Sequence, residues 1–173
     1  MNVEPQHPID PSHFRHVMGR FASGVTVIAA DAGGLVKGMT ANAFMSGSLD
    51  PPLCVVSVAK RAHMHGHLAA AGRFSVNILA AGQENVASHF AGSPKSWLQI
   101  DFRDAGGIPT VPGVSAIITA EIAATHDCGD QTLFVGHTLT TAAEERPPLL
   151  YHASRFAALL PVDEAAPLLP EFW

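Results

Sequence analysis

The sequence predicts a mainly β domain in which about seven strands form an antiparallel barrel. Short apolar runs rich in β-branched residues recur along the chain, Gly and Pro residues bound them, and only short helical patterns lie between them. Because strands and helices do not alternate regularly, a parallel sheet is disfavoured. The 173 residues suit one domain. We expect this domain at 10–161, with an N-terminal tail at 1–9 and a C-terminal tail at 162–173.

The first predicted element is a helix that begins after Asp10 and ends at Gly24. Asp10 is a good N-cap, and Pro11 suits the first helical position because its ring fixes φ and no amide hydrogen is needed there. Four apolar residues then recur at the spacing of one helical face, namely Phe14, Val17, Met18 and Phe21. This pattern predicts an amphipathic helix.

Short apolar runs, each bounded by Gly, Pro or polar residues, predict the strands that follow. They are residues 25–31, a run from Leu35 after a glycine turn, and 52–58, 74–79, 115–125, 132–142 and 155–161. Helical spacing predicts two more short helices, one at 65–71 that Gly72 ends and one at 83–92. Residues 92–112 contain several Gly, Pro and polar residues, which predicts a long surface loop of a kind that often carries function.

Composition excludes several classes of function. The net charge is −5, and no run of basic residues offers the footprint that a nucleic-acid backbone requires. No apolar stretch reaches the ~20 residues that span a bilayer, and the N-terminus has no signal-peptide pattern. Two cysteines do not make a disulfide framework. We therefore expect a cytoplasmic protein that binds neither nucleic acid nor membrane.

Searches for catalytic and metal-binding motifs give no strong match. The glycine-rich phosphate loops, the nucleophile elbow and the cysteine-based zinc spacings are missing from the sequence. His63, His65 and His67 could hold a metal, contact an anion or be solvated; the solvated state is favoured, and no metal is predicted. Cys128 near His126 lacks the electropositive setting that a thiolate nucleophile needs. Cys54 lies in an apolar run and is predicted to pack in the core.

The most informative segment is residues 38–52, GMTANAFMSGSLDPP, which is rich in small and hydroxyl-bearing residues. Small side chains let a flat ligand approach the backbone closely. Asn42 can donate and accept hydrogen bonds, which suits the edge of a heterocyclic ring. From these residues alone, a ligand edge and an ordinary polar loop both remain open.

Together with its surroundings, this segment resembles the flavin reductase family, whose fold is the FMN-binding split barrel. The matching pieces occur in the family's order over roughly residues 14–160: FRHVMGRFASGVTVIAA, GMTANAFMSGSLDPPL, VAKRAHMHGHL, FSVNILAAGQENVASHFAG, HDCGDQTLFVGHT and PLLYHASRF. The resemblance implies a homodimer of six- or seven-stranded antiparallel split barrels with short flanking helices. It also implies an NAD(P)H:flavin oxidoreductase that supplies reduced FMN, or FAD, to a separate flavin-dependent monooxygenase.

The resemblance also implies the site residues. Those expected to bind flavin are Thr40, Ala41, Asn42, Ser46, Ser57, Val58, Ala59, Lys60, Arg61, His63 and His65. Thr40 to Asn42 would face the ring, and Lys60 or Arg61 would supply charge to the phosphate. Gln131, Tyr151 and Arg155 are expected on the side of the NADH or NADPH nicotinamide. No catalytic acid or base is obligatory, because the cofactor carries out the chemistry.

Two departures from the family pattern affect these expectations. Ala62 and Met64 stand where hydroxyl side chains are usual, so His63 or His65 is expected to replace the lost phosphate donors. Gln131 replaces the usual histidine of a Gly-Asp-His triplet and does not titrate near neutral pH. Two alternative functions therefore stay open: a flavin-binding protein without reductase activity, and a split-barrel module for another planar cofactor such as haem.

Overall fold

The computed structural model describes residues 9–159. Its helices are α1 (Pro11–Met18), α2 (His63–Ala71) and α3 (Glu84–Phe90). Its strands are β1 (Ser23–Gly24), β2 (Thr26–Ala32), β3 (Leu35–Ala41), β4 (Phe44–Leu49), β5 (Pro52–Ala59), β6 (Arg73–Ile78), β7 (Arg103–Asp104), β8 (Pro109–Thr110), β9 (Ala116–Cys128), β10 (Gln131–Ala143), β11 (Leu150–His152) and β12 (Arg155–Ala157). The predicted C-terminal tail and residues 160–161 lie outside the described residues, as does most of the N-terminal tail.

Seven of these strands form one antiparallel sheet in the order β3-β2-β6-β9-β10-β5-β4. The two edge strands, β3 and β4, are consecutive in the chain and are joined only by Asn42 and Ala43. A two-residue connection between opposite edges requires the sheet to curl until those edges meet. Strands β3 and β4 do not pair with each other. The Asn42–Ala43 connection therefore closes the barrel at one point, and the barrel is split along the rest of these two edge strands. The predicted antiparallel split barrel is confirmed.

Two groups of buried apolar residues hold the sheet together. The first lies inside the barrel and includes Ile28, Ala30, Val56, Val58, Met64, Leu68, Phe74, Val76, Ala120 and Phe134. Helix α2 contributes to it through Met64 and Leu68, so this helix packs on the barrel core. The second lies on the other side of β2, beneath α3, and includes Val25, Val27, Leu79, Ala87, Val111, Val114 and Leu149. Strand β2 is thus buried on both faces.

Several predicted elements differ from the structure. Helix α1 ends at Met18 rather than at Gly24, so Phe21 lies beyond it. Strand β4 was not predicted, because its residues FMSGSL lack regular alternation and a register shift lies between Ser46 and Ser48. The last predicted strand is confirmed only over Arg155–Ala157, where it pairs with β11 in a short hairpin outside the main sheet.

Within residues 9–159, the apolar stripe of α1 belongs to neither of the two groups of buried apolar residues. Asp10 caps the helix as predicted, with its carboxylate accepting a hydrogen bond from the His13 backbone amide at 2.8 Å. Yet each residue of the stripe is more than half exposed: Phe14 53%, Val17 51% and Met18 55%. Phe21, which follows the helix, is 77% exposed. None of the helices in residues 9–159 is long and apolar enough to span a membrane.

The two cysteines are expected to differ in reactivity. Burial raises the pKa of the Cys54 thiol and keeps it protonated, whereas Cys128 is exposed at the end of β9. A thiol reagent is therefore expected to modify Cys128 in the native protein and Cys54 only after unfolding, because the thiolate is the reactive form. Mass spectrometry of labelled native and urea-unfolded samples checks this prediction. Equal labelling of both thiols in the native protein would contradict it.

Candidate functional site

A cavity of about 560 Å³ lies beside the point where the chain closes the barrel. Its walls come from the end of β3, from α3 with the loop that follows it, and from the β11–β12 hairpin. The lining residues are Val25, Thr40, Ala41, Asn42, Ala87, Ser88, Ala91, Ser93, Tyr151, Ser154, Arg155 and Phe156. Its size is within the range of small-molecule sites, and its walls combine apolar surface with a few hydroxyl groups, as such sites do.

The three predicted ring-binding residues lie together in this cavity, but their polar groups differ in availability. The Thr40 hydroxyl donates to the Ala87 carbonyl at 2.7 Å, which ties β3 to α3. The Ala41 carbonyl accepts from the Thr26 hydroxyl at 2.7 Å. By contrast, the exposed side chain of Asn42 makes no hydrogen bond within residues 9–159. Asn42 is therefore the residue of this segment whose side chain can bind a ligand edge.

Close packing positions α3 against the barrel edge. Gly38 on β3 faces the ring of Phe90, and a Cβ at position 38 would lie 2.7 Å from the Phe90 Cε1 atom. Phe90 therefore packs on β3 as a core residue and does not line the cavity. After the helix, the Ser93 amide donates to the Ser88 carbonyl at 3.1 Å. The Lys95 amide donates to the His89 Nδ1 atom at 3.1 Å. These bonds fold the loop into one wall of the cavity.

Another wall is formed by Tyr151 and Arg155, the two residues of the hairpin that were predicted to lie on the nicotinamide side. The Tyr151 ring contacts Phe156 edge to face, with 5.7 Å between ring centroids. Arg155 is exposed and forms no ion pair within the described residues. Among the described residues that line the cavity, Arg155 is the only charged one, so these residues give the cavity one positive charge.

The predicted phosphate segment, residues 57–61, connects directly to the Asn42 region. The Ser57 amide donates to the Ala43 carbonyl at 3.0 Å, next to Asn42 in the chain. Beyond it the segment follows β5 to its end at Ala59, with Val58 buried in the core. A ligand whose ring contacts Asn42 could therefore extend along Ser57 toward Lys60 and Arg61.

The two cations of this segment have different surroundings. The Lys60 Nζ atom lies 3.3 Å from Asp127 Oδ2. The Lys60 backbone amide also donates to the Asp130 carbonyl at 3.0 Å. Arg61 is exposed and has no ion-pair partner among the residues that the structure describes. Arg61 is thus the better placed of the two to bind an anion.

The histidines of α2 divide into three environments. His63 is exposed at the first helical position. His65 Nε2 lies 2.9 Å from the Thr132 hydroxyl, and its ring contacts Phe134 edge to face. His67 is only 8% exposed and its Nε2 donates to the Ala30 carbonyl at 3.1 Å, so the expectation of a solvated cluster is wrong for this residue.

Only five of the fourteen predicted site residues line the cavity: Thr40, Ala41, Asn42, Tyr151 and Arg155. Seven of the other nine belong to the segment 57–61 and to the start of α2, and the remaining two, Ser46 and Gln131, lie elsewhere. Ser46 is exposed on β4 and lines a separate shallow depression formed by residues 46–49. Gln131 begins β10, paired with Ala59 and Cys128, and so lies beside the predicted phosphate segment rather than with Tyr151 and Arg155.

Sequence reasoning missed the serines of the cavity. Ser88, Ser93 and Ser154 all line it, and none of the three side chains forms a hydrogen bond within residues 9–159. Ser88 follows Ala87 on α3, a helix that the apolar spacing marked only as a core element. The signal that could have found Ser154 is its position between Tyr151 and Arg155, both of which were predicted to lie near a ligand.

Comparison with known proteins identifies the family. The model of the flavin reductase like domain matches residues 18–160, which is most of the chain. The chain belongs to the flavin reductase family. An NADH-dependent flavin reductase from a Rhodococcus species is 38% identical over 154 residues, covering 87% of this chain and 88% of the relative. The reductase component of 4-hydroxyphenylacetate 3-monooxygenase from Thermus thermophilus is 40% identical over 148 residues, covering 85% and 95%.

Solved structures of this family confirm the architecture. The flavin reductase PheA2 in its native state superposes with a TM-score of 0.86 at 37% sequence identity. The superposition covers 88% of this chain and all of PheA2. The seven-stranded antiparallel arrangement described above is therefore the flavin reductase split barrel.

Proposed function

We propose that this flavin reductase family member transfers hydride from NADH to FMN or FAD and supplies the reduced flavin to a separate monooxygenase. One observation carries the proposal: the free amide of Asn42 lies where the barrel is closed by the chain, between the cavity and the segment that leads to Arg61. The Rhodococcus relative, an NADH-dependent flavin reductase, and the Thermus relative, a monooxygenase reductase component, support it.

The chemistry of the available donors fits a flavin. The ring edge would contact Asn42, whose amide can match both donor and acceptor atoms of the heterocycle. The ribityl chain and phosphate would follow Ser57 toward Arg61 and the first turn of α2. The helix is nine residues long and its Ala62 N-cap has no side-chain cap. The His65 amide donates to the Ala62 carbonyl at 2.9 Å, which leaves the amides of His63 and Met64 available to an anion. His63 lies at this turn and can add a donor.

The lack of a hydroxyl at position 64 is expected to have less effect on phosphate binding than the sequence suggested. Met64 is 4% exposed and packs in the barrel core, so a hydroxyl there would not face a ligand on the surface beside Arg61. His65 is held by Thr132, which leaves its Nε2 engaged. Of the two histidines predicted to replace the lost donors, we therefore favour His63.

Within this cavity the protein positions the reactants rather than reacting itself. A bound flavin supplies the hydride-accepting ring. Among the cavity residues there is no carboxylate, imidazole or thiol to act as an acid or base. Thr40 fixes the wall through Ala87, Asn42 orients the ring, and Arg155 attracts the negatively charged nicotinamide dinucleotide. Such positioning converts a bimolecular reaction into an effectively unimolecular one.

We further propose a homodimer that acts in the cytoplasm. The exposed stripe of Phe14, Val17, Met18 and Phe21 is an apolar surface of the kind that subunit interfaces cover. A second copy would also bring residues that are remote within one chain, such as Ser46, near a neighbouring site. The monooxygenase partner follows from the name of the Thermus relative, a monooxygenase reductase component.

The haem alternative has little support in the cavity. Haem binding requires an axial ligand such as histidine, cysteine, methionine or tyrosine. Among the described residues that line this cavity only Tyr151 is of these types, and its ring packs against Phe156. His65 and His67 are each engaged with other protein groups. We therefore keep the flavin as the proposed ligand.

A direct test follows NADH absorbance in air with the purified chain and catalytic FMN or FAD. We expect NADH loss that requires both protein and flavin, since air reoxidises the flavin and allows turnover. NADPH in place of NADH measures the preference between the two donors. Flavin binding without loss of either nicotinamide would instead support the flavin-binding protein that lacks reductase activity.

A further inference from the structure

The β11–β12 hairpin has an unusual turn. His152 pairs with Arg155, so the loop consists of Ala153 and Ser154 alone. Both have positive φ, at 47° and 63°. Two-residue hairpin turns of this kind favour Asn and Gly, because a Cβ in the left-handed region is strained. Here neither position is Asn or Gly.

The turn is held in place and directed into the cavity. The Ala153 amide donates to the carbonyl of Gly19, the C-cap of α1, at 2.8 Å. Ala153 does not line the cavity, whereas Ser154 and Arg155 do. Residues in strained conformations are found preferentially where a ligand is bound. Glycine at position 154 would relieve the backbone strain. The presence of Ser154 therefore suggests that its hydroxyl contacts a ligand.

The donors that converge on the cavity suit a phosphate group. Arg155, Ser88 and Ser154 line the same space, from the β11–β12 hairpin and from α3. None of the three side chains has a hydrogen-bond partner within residues 9–159. Guanidinium and hydroxyl donors together form strong charge-assisted bonds to phosphate oxygens. The part of the chain that the structure describes places no carboxylate in the cavity lining to repel such a group.

We infer that Ser88, Ser154 and Arg155 bind the diphosphate of the nicotinamide dinucleotide, with Ser154 held in position by the strained turn. The inference rests on the proposed reductase function. It differs from the phosphate site at Arg61, which belongs to the flavin. FAD also carries a diphosphate, so the test separates the two dinucleotides.

Two glycine substitutions at adjacent positions separate ligand binding from turn strain. Ser154→Gly relieves the positive φ and removes the hydroxyl, whereas Ala153→Gly relieves the positive φ and leaves every cavity donor in place. Both are expected to raise Tm by about 2–4 °C. Only Ser154→Gly is expected to raise the KM for NADH, by about five- to tenfold with kcat within about twofold, since it removes a hydrogen bond to a charged group. Arg155→Gln is expected to raise this KM by about tenfold or more.

ADP-ribose identifies the part of the dinucleotide that is bound, because it carries the diphosphate but no nicotinamide. We expect it to compete with NADH, and its inhibition constant to rise in Ser154→Gly in parallel with the KM. A wild-type KM for NADH in Ser154→Gly and Arg155→Gln, with normal turnover, would overturn the inference and leave the reductase function intact. A rise in the KM for FAD alone would assign the donors to FAD and also overturn it.

A chain that does not oxidise NADH at all would contradict the proposed function instead. Calorimetry with ADP-ribose would then still decide the diphosphate site. Binding to the wild type that weakens in Ser154→Gly but not in Ala153→Gly would support it, and equal binding to all three proteins would overturn it.

Discussion

Gly136→Val is expected to lower the free energy of unfolding by about 3 kcal/mol, since overpacking of a dense core costs this much. Gly136 lies on β10, opposite Ile122 of β9 and Cys54 of β5. A Cβ at this position would lie 2.7 Å from Phe74 Cζ and 2.8 Å from the Cβ of Ala120. Both neighbours are fully buried in the barrel core, so neither can move aside without disturbing other residues.

Urea unfolding measures this effect, and Gly66→Ala is the matched control. Gly66 lies within α2 and a Cβ there meets no atom within 4 Å. Alanine favours helix over glycine by up to about 1 kcal/mol, so the control is expected to be as stable as the wild type or more stable. An unfolding midpoint of Gly136→Val equal to that of the wild type would show that the interior of the barrel is not packed as described.

Arg61→Ala is expected to raise the KM for FMN by about tenfold or more, because a charge-assisted bond to phosphate contributes about 1.5–3 kcal/mol. Arg61 has no ion-pair partner among residues 9–159, whereas Lys60 is paired with Asp127 at 3.3 Å. Lys60→Ala is therefore expected to have a smaller effect on the same constant. Steady-state kinetics with varied FMN measures both.

Riboflavin provides the control for this prediction, because it has the same ring and ribityl chain but no phosphate. We expect Arg61→Ala to leave the KM for riboflavin close to that of the wild type. An equal rise for FMN and riboflavin would mean that Arg61 acts through the fold and not through the phosphate. A wild-type KM for FMN would contradict the placement of the phosphate beside Arg61.

Local patterns were sufficient to predict most of the fold. The apolar runs of β2, β5, β6 and β10 predict strands with few alternatives. Gly72 ends α2 in the left-handed conformation that glycine favours, as its place in the sequence predicts. Strand β4 was missed because its small and hydroxyl-bearing residues follow no period, and its pairing with β5 supplies the strand geometry. The end of α1 was placed too late, because Phe21 continues the helical spacing beyond Met18.

The candidate site was only partly predictable. The resemblance placed Thr40, Asn42, Tyr151 and Arg155 in it, and the structure brings these four residues to one cavity. The serines of the other walls were not predicted, because their convergence depends on how α3 packs against Gly38 and on the shape of the β11–β12 turn. Whether a given cation is free or paired, as for Arg61 and Lys60, is likewise a property of the folded chain.

The most direct test of the proposed function mixes the purified chain with an equimolar amount of FMN and an excess of NADH in the absence of oxygen. Without oxygen the reduced flavin is not reoxidised, so its absorbance reports the hydride transfer alone. We expect rapid bleaching of the yellow flavin, with one NADH consumed per flavin and a much slower change when the protein is omitted. Flavin that is bound by the protein but stays yellow would contradict the account.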